Sequence, residues 1–468
     1  MNKFSFWALV FVVALGAQVG ADDRKFDDGV RRAIDRHDER VRAILVFDPI
    51  DLSAAHAPGT LSAGQIERLR KEEATRAQRE VWAFLQRQYH FGHPQDLVEI
   101  NDFWGANAIS VEASPLVLQE LARFQEVRSI ILDQSVDLVY RVDQDQPEYR
   151  YTYGLERIGI PDLRRQSPDL LGQGIVVGVL DTGIDPEHPE FRGRVAAFRD
   201  FIQQKTEAYD DNGHGTHVAG TIAGSGVGGV QIGVAPEATL VIGKILSGRG
   251  SGSLSGILAG MEWIGNPDGR LASRLRPHVV NNSWGASRFS GDLRRNPFAQ
   301  QVITWVEMGI FPVFAAGNDG RSGSATIGDP AGLPMAFAVG ATDERDEVTD
   351  FSSRGPVRII DFDGETRVLV KPDISAPGAR VHSAVPGGGY RAFSGTSMAA
   401  PHIAGAVALL YQVNPHLKIP EVVRILEDSS EYLGSSPGRE RSNDFGSGRL
   451  NIFNAVSGMS SMGYHRWR

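Results

Sequence analysis

The sequence predicts an α/β protein whose larger part is a doubly wound, mostly parallel sheet, preceded by a small α+β unit. Three observations predict it. From Tyr153 onward, continuous apolar runs that suit strands buried on both faces alternate with segments of helical spacing. Between residues 41 and 139 the patterns run in the order β-α-β-β-α-β, that of a ferredoxin-like unit. The chain has 468 residues, 41% of them hydrophobic, enough for about two or three domains with real cores.

At the N-terminus, Met1, Asn2 and Lys3 precede the apolar run FSFWALVFVVALGA, and QVGA puts small residues Val19 and Ala21 before a cut. Residues 1–21 therefore read as a signal peptide and the protein as secreted, extracellular or periplasmic. An uncleaved anchor would need about 20 apolar residues, more than this run supplies. Residues 22–40 are dense in charge and read as a solvated lead-in or a short helix. VRAILVFDP then reads as a strand, residues 62–88 as a helix begun by Ser62, and DLVEIND and AISVEAS as strands. PLVLQELARF is a short helix opened by Pro115, and VRSIILD a last strand. The stretch YRVDQDQPEYRY, residues 140–151, has no apolar periodicity and is the natural linker or cut region. The expected divisions are 1–21, a small domain with its linker over 22–146, a large domain over 147–458 and a short tail over 459–468.

In the large domain, GIVVGVLDTG, ATLVIGKIL, HVVNNSWG, IFPVFAAGN and MAFAVGAT read as strands. HGTHVAGTIAG, GSLSGILAGMEWIG, FAQQVITWVEMG, TSMAAPHIAGAVALLYQV and PEVVRILEDSS read as helices. The 53 glycines, about 11% against a usual ~7%, imply many tight turns. The net charge of −9 and the scattered Lys and Arg argue against a nucleic-acid partner. No later segment is long and apolar enough for stable membrane insertion, and the absence of cysteine excludes disulfides and thiolate metal sites.

Sheets of this kind carry their chemistry at the carboxyl ends of the strands. Asp181 stands there, where the run VVGVL stops, although an aspartate in that position serves equally as a turn or helix cap. Ser397 opens a long apolar helix in FSGTSMAAPHIAGAVALL, where Thr396 or Ser397 reads equally as an N-cap. A helix N-terminus also suits a serine whose product is an oxyanion. His214 lies between Gly213 and Gly215. Asp181, His214 and Ser397 together supply an orienting carboxylate, a general base and a nucleophile, in a chain order known for that relay. Asn318, at the end of another strand, offers an amide to a developing oxyanion.

The segments VLDTGID, NGHGTHVAGT, NNSWG, AAGNDG and FSGTSMAAPHIAGAVALL resemble those of the subtilisin-like serine proteases, in that family's order and across most of residues 153–456. The resemblance implies a secreted serine endopeptidase acting on proteins or peptides, with Asp181 orienting His214 and Ser397 attacking the carbonyl. It implies an oxyanion hole of the Asn318 side chain and the Ser397 backbone N–H, with Thr396 a minor donor behind it. It also implies a cleft in which Gly250, Ser251 and Gly252 pair with an extended substrate on one side and Ser283, Trp284 and Gly285 on the other. Ser283–Gly285, Ala315 and Gly317 would wall the first specificity pocket, with Gly328 near its floor and Asp319 at its rim. Leu254 would shape the pocket for the residue four before the cut.

Catalysis in that family needs no cofactor, while structural Ca²⁺ is common and its ligands here stay unknown: Glu190 stands where an aspartate ligand is frequent, and Val227 where a carboxamide is. Asp210, Asp211 and the acids of TDERDEVTD read as solvated faces. The small domain resembles the family's propeptide, an intramolecular folding template and inhibitor, with self-cleavage expected within residues 140–153. Two other readings stay open. A zinc hydrolase would use His214 and His217, which stand at i, i+3 and not at the i, i+4 of metalloprotease helices. A secreted binding protein that kept the fold would lack one of the four catalytic positions, and all four are filled. His217 reads as a structural histidine.

Overall fold

The computed structural model of the chain describes residues 23–53, 56, 59–93, 95–143, 150–286, 291–435 and 438–461. The segment read as a signal peptide lies outside the described residues, as does most of the 459–468 tail.

The small unit comprises helix α1 (Asp28–Asp35), strand β1 (Val41–Phe47), helices α2 (Ala63–Ala77) and α3 (Arg79–Phe91), strands β2 (Leu97–Phe103) and β3 (Ala108–Ala113), helix α4 (Pro115–Leu121) and strand β4 (Val127–Leu132). Its strands form an antiparallel sheet in the order β2-β3-β1-β4. Side chains alternate across a strand, so β1 serves two cores. Ala43, Leu45 and Phe47 pack under Val81, Leu85 and Leu118 of the unit's own helices. Ile44 and Val46 face the large domain.

Of the two expectations for residues 22–40, the short helix is the one found, as α1, and it is packed rather than solvated. The Asp27 carboxylate caps α1 at Val30 N, and Phe26, Val30 and Ala33 are buried in the small core. Residues 62–88 are two helices, not one. They divide at Gln78, whose buried amide donates to Asn107 Oδ1 at 3.1 Å.

Two short strands follow, β5 (Ser135–Asp137) and β6 (Arg141–Asp143). The large domain opens with α5 (Tyr153–Arg157) and α6 (Ile160–Gln166). Its first half holds β7 (Val176–Asp181), β8 (Val195–Asp200), α7 (His214–Ala223), β9 (Thr239–Lys244), β10 (Ser251–Ser253) and α8 (Leu254–Ile264). Then come β11 (Val279–Asn282), α9 (Pro297–Glu307), β12 (Phe311–Ala315), β13 (Phe337–Thr342), a hairpin of β14 (Val357–Ile360) and β15 (Thr366–Leu369), and β16 (Ile374–Pro377). A second hairpin of β17 (Val381–Val385) and β18 (Gly389–Ser394) leads into α10 (Thr396–Val413), α11 (Ile419–Ser429) and α12 (Ile452–Ser461).

Seven parallel strands order as β16-β13-β12-β11-β7-β9-β8. The winding direction reverses between β7 and β11, and a crevice opens beyond their carboxyl ends. Alternation on β7 shows the two faces: Val177 and Val179 meet α7 and α10, while Val176 and Leu180 meet α8 and α9. Helix α10 is apolar all round, and 17 of its 18 residues are buried, as a helix through the middle of a domain has to be.

The small unit lies on α8 and α9 through a partly polar contact. The fully buried Arg70 guanidinium donates to Gln300 Oε1 at 3.1 Å and to Glu307 Oε2 at 2.7 Å. Buried Glu67 accepts from Asn266 Nδ2, Thr304 Oγ1 donates to Gly105 O, and Glu262 Oε2 accepts from Gly105 N at 3.2 Å. Burial pushes the Glu262 carboxyl up to about 8; the negative charge of Asp102 adds to the shift, while the Gly105 N–H and Lys71 oppose it.

Glu262 alone on its helix would titrate near the ordinary 4.5, so the covered state binds the proton more tightly. The contact is expected to be strongest below pH 4.5, to weaken as pH rises, and to level off above about 8. Thermal melts of the Ser397→Ala chain between pH 5 and 9 check this, and Glu262→Gln should remove that part of the slope.

Candidate active site

Asp181 is the last residue of β7 and is fully buried. Its Oδ1 accepts from Thr182 N at 2.7 Å and from His214 Nδ1 at 2.8 Å, with the histidine also fully buried. That contact puts the His214 proton on Nδ1 and leaves Nε2 with a lone pair able to accept a proton. His214 is the first residue of α7, entered through Gly213 at φ 103°, a left-handed conformation that favours glycine.

The loop before α7 is held from two sides. Asp210 accepts from Thr182 Oγ1, the backbone N–H groups of Asn212, Gly213 and Thr216, and Thr216 Oγ1, all at 2.7–3.0 Å. Thr182 Oγ1 in turn accepts from Gly215 N at 2.8 Å. Asp211 pairs at 2.6 Å with the fully buried ammonium of Lys244, which also donates to Thr182 O and Leu246 O. Asp210 is half-buried and not the solvated face expected above, while Asp211 stays exposed as expected; both fasten the histidine loop to the ends of β7 and β9. A sequence signal existed for Asp210, since aspartate ahead of Asn-Gly caps its own turn. No such signal marks the buried Lys244.

Ser397 is the second residue of α10. Pro401, four residues on, has no N–H to give to the Ser397 carbonyl, and Ser283 Oγ donates to it instead at 2.8 Å. The Ser397 hydroxyl returns a bond to Ser283 O at 3.0 Å, which fastens α10 to the end of β11. In this state Ser397 does not donate to His214, and His214 Nε2 has no hydrogen-bond partner among the described residues. Asn318 Oδ1 accepts from Thr396 N and Thr396 Oγ1, which turns Nδ2 into the cleft. Gly317 stands before it at φ 107° and is spanned by the bond from its N–H to Thr396 Oγ1.

The cleft holds the chain's own residues. β5 pairs antiparallel with β10, setting Asp137, Val136 and Ser135 opposite Ser251, Gly252 and Ser253, and Leu138 N donates to Gly250 O at 2.8 Å. Asn318 Nδ2 donates to Val139 O. The Tyr140 ring lies 4.7 Å from His214 and 5.0 Å from Phe393, and its hydroxyl donates to Asn212 Oδ1. Beyond it, β6 pairs antiparallel with β18.

A pocket of about 290 Å³ beside Val139 is lined by Ser283, Gly285, Ala315, Gly317, Gly328 and Ser397, with the exposed Asp319 at its edge. Gly328 is fixed by space: a Cβ there would stand 2.2 Å from Ala286 O. Trp284 contributes its backbone, because its indole is buried against Phe298 and Phe314. Leu254 is fully buried in the same apolar cluster as Val136.

His217 is not paired with His214. Its Nε2 faces Val381 O at 2.9 Å and Arg391 O at 3.0 Å, and its ring stacks on Phe393. Burial, aided by the nearby His214, pushes its pKa down to about 3, so the ring is neutral with its proton on Nε2. Among the described residues no group of three or more His, Asp or Glu is arranged to hold a metal ion.

A family model described as the subtilase family matches residues 172–448. The chain is 34% identical to the serine protease AprX of Bacillus subtilis (strain 168) over 382 residues, covering 75% of this chain and 79% of that protein. It is 36% identical to subtilisin E of the same organism over 332 residues, 70% of this chain and 77% of that one. It is 33% identical to bacillopeptidase F, also from Bacillus subtilis, over 83% of this chain, which spans only 28% of that longer protein.

Glu190, at a position where a calcium ligand is frequent in such proteins, is engaged otherwise. Glu190 is fully buried, and its carboxylate accepts from Ser225 Oγ, Gly226 N, Gly228 N and Tyr390 OH at 2.6–3.2 Å. The 225–231 loop thus turns the N–H groups of Gly226 and Gly228 toward Glu190, the arrangement that suits an anion. Burial alone would raise the Glu190 pKa, but the bonds from Tyr390, Gly228, Gly226 and Ser225 outweigh it and hold the carboxyl below its usual range. Glu190→Ala is expected to cost on the order of 2 kcal/mol and lower Tm by a few degrees, whereas a chelator added to the wild type should leave Tm unchanged. Calorimetry with and without chelator reads both.

Proposed function

Because the chain belongs to the subtilase family and is a serine endopeptidase, we propose that it cleaves protein or peptide substrates through an acyl-enzyme on Ser397, and that it is made as an exported, autoinhibited precursor that processes itself. The observation that carries the reading is a single one. An extended strand lies antiparallel on β10 with a carbonyl on Asn318 Nδ2, beside a buried Asp181–His214 pair and the serine at the start of α10.

A turn of the Ser397 hydroxyl away from Ser283 O brings it to His214 Nε2, which takes the proton as Oγ attacks the carbonyl. Asp181 keeps the imidazole in the Nδ1–H tautomer and stabilises the cation that forms. The oxyanion is met by Asn318 Nδ2 and the Ser397 N–H, at the positive end of α10. His214 then returns the proton to the leaving amine, and water opens the ester by the same path. Substrate would bind as an added strand on Gly250–Gly252 and Ser283–Gly285. The exposed Asp319 carboxylate would favour basic side chains only slightly, because solvent screens it.

The small unit acts here as template and inhibitor. Parallel sheets fold slowly because their contacts are non-local, and a unit docked on α8 and α9 gives two helices of the sheet a ready surface. Its trailing residues fill the cleft that substrate needs. Export rests on the charged start, apolar run and small-residue end of residues 1–21. Among the described residues no helix is long and apolar enough to cross a membrane.

A fluorophosphonate is expected to label Ser397 in the mature protein and to leave Ser397→Ala unlabelled. Turnover should vanish in Ser397→Ala and His214→Ala. Asn318→Ala should lose on the order of 10²–10³ in kcat, as a subtilisin does on losing that donor. Full turnover by purified Ser397→Ala would overturn the mechanism.

A further inference from the structure

The path of residues 135–143 through the cleft points to a specific processing site: we infer that the bond hydrolysed when the chain matures is Val139–Tyr140. The inference rests on the self-processing proposed above, and it names a bond just before the 140–153 window that the sequence suggested.

Three observations fix the position. The carbonyl on Asn318 Nδ2 is that of Val139, so its carbon is the one offered to Ser397, with which Val139 shares a pocket. The Tyr140 ring packs on His214, which sets the following residue, and with it the leaving nitrogen, on the side of the base. The chain is also held on both flanks of this bond, by β10 and Gly250 O before it and by β18 after it. The neighbouring Leu138–Val139 bond has no such arrangement, since the carbonyl that Asn318 Nδ2 meets is that of Val139 and not that of Leu138.

The step balances within the chain. Ser397 Oγ bonds to the Val139 carbonyl carbon as its proton passes to His214 Nε2. The C–N bond to Tyr140 breaks, and the proton goes to the Tyr140 nitrogen. Water then opens the ester, leaving a carboxylate on Val139 and a free amine on Tyr140.

The same register defines the substrate class. Val136, four residues before the cut, is 1% exposed and packs in one apolar cluster with Leu246 and Leu254. Asp137 is exposed, and Val139 itself is 62% exposed. Selection therefore falls on an apolar residue four before the cut more than on the residue at the cut, and a charge is tolerated between them.

The test follows full-length chains from residue 22, wild type and Ser397→Ala, by intact mass and N-terminal sequencing from the earliest times. Wild type is expected to give one fragment ending at Val139 and another beginning at Tyr140, while Ser397→Ala stays whole. If Ser397→Ala stays whole but the first wild-type fragments meet at another bond, the site is wrong and self-processing stands. If Ser397→Ala is cut as the wild type is, self-processing falls. A peptide of residues 133–143 given to mature enzyme tests the register without relying on the fold of the precursor. It should be cut at Val139–Tyr140, and its Val136→Asp version should lose at least tenfold in kcat/KM. Cleavage elsewhere overturns the inferred bond, and equal cleavage of the two peptides overturns the selection at Val136.

Discussion

A carboxylate sealed inside a protein is costly unless hydrogen bonds replace its water, and the rest of the site is arranged around that requirement at Asp181. The charge sits at the end of a central strand with parallel neighbours on both sides, β11 and β9. Its donors come from the chain just beyond, Thr182 N, and from the first side chain of α7, His214. Thr182 then binds Asp210 and Gly215, so the start of α7 is tied to the strand by more than the Asp181–His214 contact itself. Loss of the Asp181–His214 bond would strand a buried anion, which is why strand end and helix start behave as one piece.

The same economy of connections links the other side of the cleft. β11 is followed by Ser283, α10 begins at Thr396, and Ser283 and Ser397 exchange a pair of hydrogen bonds because Pro401 frees one carbonyl. The parallel sheet supplies the reason that these elements meet. Every strand points the same way, so α7 and α10 start beside the strand ends, and their positive ends face a common crevice. Packing on the two faces is divided between separate apolar clusters, one under α7 and α10 and the other under α8, α9 and the small unit.

Much of this was legible in the sequence wherever a signal is local. Continuous apolar runs gave the strands, glycine-flanked and small-residue helix starts gave His214 and Ser397, and a strand-end asparagine gave Asn318. What escaped depends on distance or on sign. Asp210 and Asp211 sit in an acid-rich loop that reads as solvated until buried Lys244 comes beside it from another strand. The Ser283–Ser397 exchange spans 114 residues and leaves no periodic trace. Glu190 occupies a ligand position yet acts as an acceptor of N–H groups, and only the direction of the loop amides reveals it. Residues 140–143 lack hydrophobic periodicity because their partners are a strand edge and a cleft, not a core.

If the small unit inhibits as proposed, the clamp on either side of Val139 has a consequence for when that inhibition can end. While the chain is whole, the segment is tethered to its own cleft at an effective concentration on the order of millimolar, so dilution cannot remove it. Once the chain is cut there, the β5 side remains joined to the small unit and the β6 side to the large domain. The first then obeys ordinary bimolecular equilibrium, with its occupancy set by how crowded the surroundings are. A strand pairing that is merely structural in the intact molecule becomes, after one bond is broken, a gauge of the volume into which the protein has been released.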